Sequence, residues 1–138
     1  MGDGTTTEQH APVPVGTDTH WASVSADSSH TVAVKTDGTL WAWGGNWHGQ
    51  LGDGTNGFGN YQSAPVQVGT DHWASVTAGA SHTVAIKTDG TLWAWGDNWR
   101  GQLGDGTRTD RSTPVQVGTD THWASVAAGG DHTVALRS

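Results

Sequence analysis

His30, His82 and His132 recur 52 and 50 residues apart, each opening the same His-Thr-Val-Ala segment. At one phase of a repeating fold they could form a ring of imidazole metal ligands near an axis. The recurrence itself favours structure, because a side chain present in every copy is one that each copy's architecture uses, and a buried imidazole must find hydrogen-bond partners. Asp37, Asp53, Asp89 and Asp105 sit beside glycine in Asp-Gly-Thr runs, which invites calcium. Neither an EF-hand loop nor a Gly-Gly-x-Gly-x-Asp run is present, so these aspartates are expected to hold their own turns. Trp41, Trp43, Trp93 and Trp95 could stack on sugar rings, yet their two-residue spacing fits packing between sheets. Trp47 and Trp99 lie instead in Gly/Asn-rich loops, next to the variable pair His48 and Arg100. With Phe58 and Tyr61, the only Phe and Tyr of the chain, they are the candidate binding residues. No Gly-x-Ser-x-Gly or His-Glu-x-x-His run exists and no unique catalytic residue stands outside the repeat. The chain is therefore expected to be no enzyme and to use no metal or cofactor.

Those residues are carried by a repeat of about 50 residues, anchored at Trp21, Trp73 and Trp123, within the range of propeller blades. Residues 21–55 and 73–107 differ at six sites: Ser25/Thr77, Asp27/Gly79, Ser28/Ala80, Val34/Ile86, Gly45/Asp97 and His48/Arg100. Such likeness points to recent amplification or a consensus design. The copies also differ in loop length, Asn56 to Ala64 being three residues longer than Arg108 to Thr113. Length changes confined to polar and glycine-rich stretches mark surface loops between fixed elements.

Composition bounds the architecture. With 33% hydrophobic residues in 138, a large core must come from few side chains, and nine tryptophans supply it. Twenty-one glycines among abundant Thr and Val predict many short strands joined by tight turns. A net charge of −7 opposes a phosphate backbone and argues against nucleic acid as a partner. The absence of cysteine excludes disulfides and thiol chemistry without fixing the compartment. No signal peptide is expected from Met1-Gly2-Asp3-Gly4-Thr5, and no apolar run is long enough to span a membrane.

The strand types follow in order. Pro12–Val15, Pro65–Val68 and Pro114–Val117 read as outer edge strands, where proline's missing N–H is tolerated. Three Trp-Ala-Ser-Val strands and three His-Thr-Val-Ala strands come next, but only two Leu-Trp-Ala-Trp strands. Gly79 and Gly129 are expected at positive φ, which would strain Asp27 at the equivalent position. The Asp37-Gly38 pair between alternating segments predicts a hairpin. The expected fold is an all-β propeller of four-stranded blades: a partial start at 1–37, repeats at 38–89 and 90–138, and no fourth strand type in the last.

The run Asp89-Gly90-Thr91-Leu92-Trp93-Ala94-Trp95-Gly96, continued by Asn98, by Gly101-Gln102-Leu103-Gly104-Asp105-Gly106-Thr107 and by His132-Thr133-Val134-Ala135-Leu136, resembles the repeat of the regulator of chromosome condensation family. The superfamily also holds the bacterial β-lactamase-inhibitor protein II. The resemblance spans practically the whole chain and implies blades around a channel, usually seven. It further implies activities, nucleotide exchange on a small GTPase or enzyme inhibition, that reside in variable loops on one propeller face. No functional residue of the family carries over to a numbered position here. The leading expectation is a non-catalytic structural and protein-binding scaffold that associates with itself, a homo-oligomer closing a ring. The alternatives are an inhibitor or exchange-factor module gripping a partner through Asn56–Tyr61, and carbohydrate binding through Trp47 and Trp99.

Overall fold

A computed structural model describes all 138 residues. The repeat translates into ten strands: β1 (Trp21–Ala26), β2 (His30–Lys35), β3 (Leu40–Gly44), β4 (Gln62–Gln67), β5 (Trp73–Ala78), β6 (His82–Lys87), β7 (Leu92–Gly96), β8 (Arg111–Gln116), β9 (Trp123–Ala128) and β10 (Thr133–Arg137). They form antiparallel sheets in the order β1-β2-β3-β4, β5-β6-β7-β8 and β9-β10, so the first two blades are four-stranded and the third has two strands. This is the all-β blade array that the repeat implies, with the last blade incomplete.

Each hairpin is set locally. In the β2–β3 turn, the Asp37 carboxylate accepts the backbone N–H of Thr39 at 2.9 Å and its hydroxyl at 2.7 Å, while Gly38 takes φ 85°. The Thr39 hydroxyl then accepts the Trp41 indole N–H at 2.9 Å, so the turn also orients the first tryptophan of the strand. Asp89, Thr91 and Trp93 repeat the arrangement. Gly90 has φ 84° and lies directly against the Thr121 carbonyl oxygen, whereas the nearest atom to a Cβ on Gly38 would be a His72 ring carbon at 3.2 Å. Both glycines to alanine strain the turn, but only Gly90→Ala also meets fixed backbone. We expect Gly38→Ala to cost about 1 kcal/mol and Gly90→Ala about 2 kcal/mol or more, read from urea midpoints.

Two local expectations are corrected. Gly79 and Gly129 do not have positive φ, and no non-glycine residue does, so Asp27 is unstrained. Gly79 is needed for room instead: a Cβ there would run into the His82 ring and come within 2.6 Å of the Gly129 carbonyl oxygen. Pro12–Val15 forms no strand, although its counterparts lie at β4 and β8. A ladder needs a Leu-Trp-Ala-Trp neighbour, which β3 and β7 already give to β4 and β8, and Pro12 and Pro14 have no N–H to donate.

The core lies between blades, not inside them. Val32, Val34, Leu40, Ala42, Leu51 and Val68 of the first blade and its loop pack on Trp73, Ala78, Ala85 and Trp95 of the second. Val84, Ile86, Leu92, Ala94 and Leu103 of the second pack on Trp123, Val126, Ala128 and Ala135 of the third. The two tryptophans of a strand share a face, and their place along it separates them. Trp95 is fully buried in the first junction, while Trp93 stays half-buried at its margin under the Lys87 ammonium, 3.6 Å from the ring centroid. In the second blade one tryptophan thus seals a junction and the other carries a cation–π contact; in the first, Trp41 lies under Lys35 at 3.9 Å while Trp43 faces the N-terminal segment.

Candidate binding surface

The loop after β3 is held from inside. Asn46, 2% exposed, donates through Nδ2 to the Thr55 carbonyl and hydroxyl at 3.0 and 2.8 Å, and its Oδ1 accepts the Leu51 N–H at 3.1 Å. Gln50 accepts the His48 N–H at 2.9 Å. With the two amides buried and Leu51 in the core, the intervening side chains can only point outward. Trp47 is 60% exposed.

The longer second half of this loop returns over the same spot. Phe58, 90% exposed, meets Trp47 edge to face with ring centroids 6.1 Å apart. Trp47, His48, Phe58 and Tyr61 line one open cavity of about 530 Å³, floored by Ser29, Asn46 and Gln50. Four candidate residues thus converge. Trp99 and Arg100 belong to the next loop, where Asn98 plays the part of Asn46. Trp99 is 75% exposed and has no aromatic neighbour there, because the six-residue loop from Arg108 to Thr113 carries none. Arg100 pairs with Asp131 at 3.2 Å.

Between the two loops, His48 Nδ1 lies 3.0 Å from Asp110 and 4.0 Å from Asp97. Asp110 also accepts the Asn98 N–H at 2.8 Å, which fixes the carboxylate. These three residues could hold a metal ion by type and proximity; in the structure the hydrogen bond between His48 and Asp110 staples one loop to the next. Sequence reading did not connect them, although Asp97 and His48 occupy two of the six sites at which the copies differ.

The recurrent histidines do structural work between blades. The Thr83 hydroxyl donates to the Gln50 carbonyl at 2.7 Å, so the His30 Nε2 facing it at 2.8 Å must be the donor. His82, Thr133 and Gln102 repeat the chain at 3.0 and 2.8 Å. Nδ1 of each ring is buried without a partner. Protonating it would bury an unpaired charge, and burial, helped by the nearby His82, lowers the His30 pKa to about 4. Burial lowers that of His82 in the same direction. At Asp105, burial opposes ionisation, but hydrogen bonds from Thr107, Arg111 and Asn98 outweigh it and hold the carboxyl at about 2.

Antiparallel four-stranded sheets packed face to face, with loops gathered around the junctions, define a sector of a β-propeller. The chain belongs to the Regulator of chromosome condensation (RCC1) repeat family, whose repeat matches residues 37–86 and 89–136. It is 33% identical over 124 residues to the Ultraviolet-B receptor UVR8 of Arabidopsis thaliana, covering 85% of this chain and 27% of that one. It is 38% identical over 94 residues to Protein RCC2 of Homo sapiens, covering 65% and 17%. The chain thus spans about a quarter or less of these relatives. Its fold matches Prp20p of Saccharomyces cerevisiae with a TM-score of 0.75 at 22% identity, over 90% of this chain and 32% of that one. No helix is long and apolar enough to cross a membrane.

Proposed function

We propose that the chain is a non-catalytic propeller scaffold that binds proteins, and that one of its partners is a second copy of itself. The observation that carries this reading is the exposure of packing faces. Val134 and Leu136 of β10 are 56% and 62% exposed, while Val32 and Val34, at the same places in β2, are 0% and 3% exposed. At the other end Val24 is 67% exposed. Apolar side chains that the repeat buries elsewhere are expected to find cover. Family membership supports a binding role: the Prp20p structure was described with binding to Gsp1p and histones. Light scattering coupled to size exclusion over a concentration series should show a defined dimer or trimer. A monomer at every concentration would exclude self-association.

A second reading rests on the aromatic cavity. Trp47, Phe58 and Tyr61 form a surface that the neighbouring loop, which carries Trp99 and Arg100, does not reproduce, and this fits an inhibitor-like or exchange-factor-like module gripping a partner. On this reading Phe58→Ser with Tyr61→Ser abolishes capture of that partner while leaving solution mass unchanged. If Trp47 and Trp99 bind glycans instead, tryptophan fluorescence responds to a glycan panel, and a flat titration removes that possibility. Trp99→Ser should shift stability by less than about 0.5 kcal/mol, as expected for an exposed side chain without packing partners.

A further inference from the structure

We infer that self-association runs head to tail, the open face of β9–β10 in one copy seating on the open face of β1–β2 in the next. The inference rests on the self-association reading and adds its polarity and register.

The two internal junctions are the template. In each, the outgoing face of one blade presents two aliphatic side chains from its second strand, Val32 and Val34 or Val84 and Ile86, and the next blade receives them on its tryptophan face. Val134 and Leu136 hold the same positions on β10 and have nothing in front of them. Trp21, Val24, Ala33 and Trp43 line an open apolar cavity of about 550 Å³. Trp21 is half-buried and Val24 67% exposed, where their counterparts Trp73 and Val76 are 3% exposed and half-buried beneath the first blade; Ala33 and Trp43 form the 1% and 6% exposed floor, and the chain's own residues 14–19 line the cavity beside them. The two open faces are therefore the two halves of a junction that the molecule already builds twice.

The polar groups give the contact its direction. His30 bonds Thr83 and His82 bonds Thr133, always from outgoing to incoming blade. The next rung is His132 to Thr31 of a second copy. A head-to-head contact would set His132 against His132 and leave Thr31 without its imidazole. Ser25 of β1 likewise reaches forward, its hydroxyl oxygen accepting the Ala78 N–H at 3.0 Å across the first junction. Ala127 and Ala26 occupy those two positions at the open ends. A contact of this kind is heterologous, so it closes into a ring or continues as a string of copies.

The chain has no cysteine, which makes disulfide trapping clean. Ala127→Cys and Ala26→Cys are made separately, mixed under mild oxidation and resolved by mass, with light scattering on the unmodified chain in parallel. The expected result is association with a mixed disulfide joining the two different variants and little homodisulfide, and loss of association in Leu136→Asp, a change at an exposed position that the fold tolerates. Association with only homodisulfides, or with no trapped pair, would overturn the head-to-tail arrangement while leaving self-association standing. A monomer throughout would overturn both.

Discussion

Trp95→Ala should remove about 3–5 kcal/mol of unfolding free energy, a large part of what a chain of this size has. The indole is fully buried at the first junction, tilted against Trp73 with centroids 5.7 Å apart, and donates to the Gln50 carbonyl at 3.0 Å. Gly52 comes close enough that a Cβ would lie 2.6 Å from its Nε1, so the loop is moulded on the ring and cannot collapse into the space it leaves. Trp43→Ala is the internal comparison. Trp43 holds the same sequence position and is 6% exposed, but its cover is the N-terminal segment and not a blade: its indole donates to the Met1 carbonyl at 3.2 Å and lies against Gly2. Its removal deletes similar area with fewer partners and should cost markedly less. Urea unfolding of both variants measures the difference. Equal costs would mean that the junction between blades is not where stability resides.

The second large effect is acid destabilisation through the buried histidines. Above pH 6.5 His30 is neutral folded and unfolded, and contributes no pH dependence. Between pH 6.5 and about 4 the unfolded chain takes up a proton that the folded ring refuses, so stability falls as pH falls. A pKa moved from 6.5 to about 4 corresponds to about 3 kcal/mol lost by pH 4, at about 1.4 kcal/mol per unit. His82 acts in the same direction. The aspartates respond later: Asp105 and Asp120 are both held at about 2, so their contribution is lost only as pH falls below 4. Urea midpoints at pH 7.5, 5.5 and 4.5 should therefore decline, and His30→Gln, which keeps a donor toward Thr83 but cannot titrate, should flatten the decline. A midpoint unchanged from pH 7.5 to 4.5 in the unmodified chain would disprove the burial of a neutral imidazole.

Strand identity, hairpin turns and the blade count were legible in the chain because they follow from short-range rules. Alternation placed Leu40 and Ala42 opposite Trp41 and Trp43, and each Asp-Gly-Thr turn closes through bonds between residues two apart. That Trp47 and Trp99 stand apart from the strand tryptophans was also readable, since both lie in Gly/Asn-rich loops; their exposure became plain only with the inward-turned amides of Asn46 and Asn98. The sequence could equally suggest that Pro12–Val15 is a strand, because edge-strand composition is local while pairing requires a neighbour.

What tertiary structure alone decided is everything that crosses from one blade to the next. Nothing within a repeat tells that His30 bonds Thr83 and not its own turn, that Trp95 is sealed while Trp93 lies under Lys87, or that His48 meets Asp110 across 62 residues. Gly79 was read as a backbone requirement and proved to be a clearance for the His82 ring beside the next blade. The reason is common to all four. A repeat specifies the shape of one blade, but the partner of each side chain depends on how successive blades stack, and that geometry is fixed by the summed packing of the junction and by no single residue's preference.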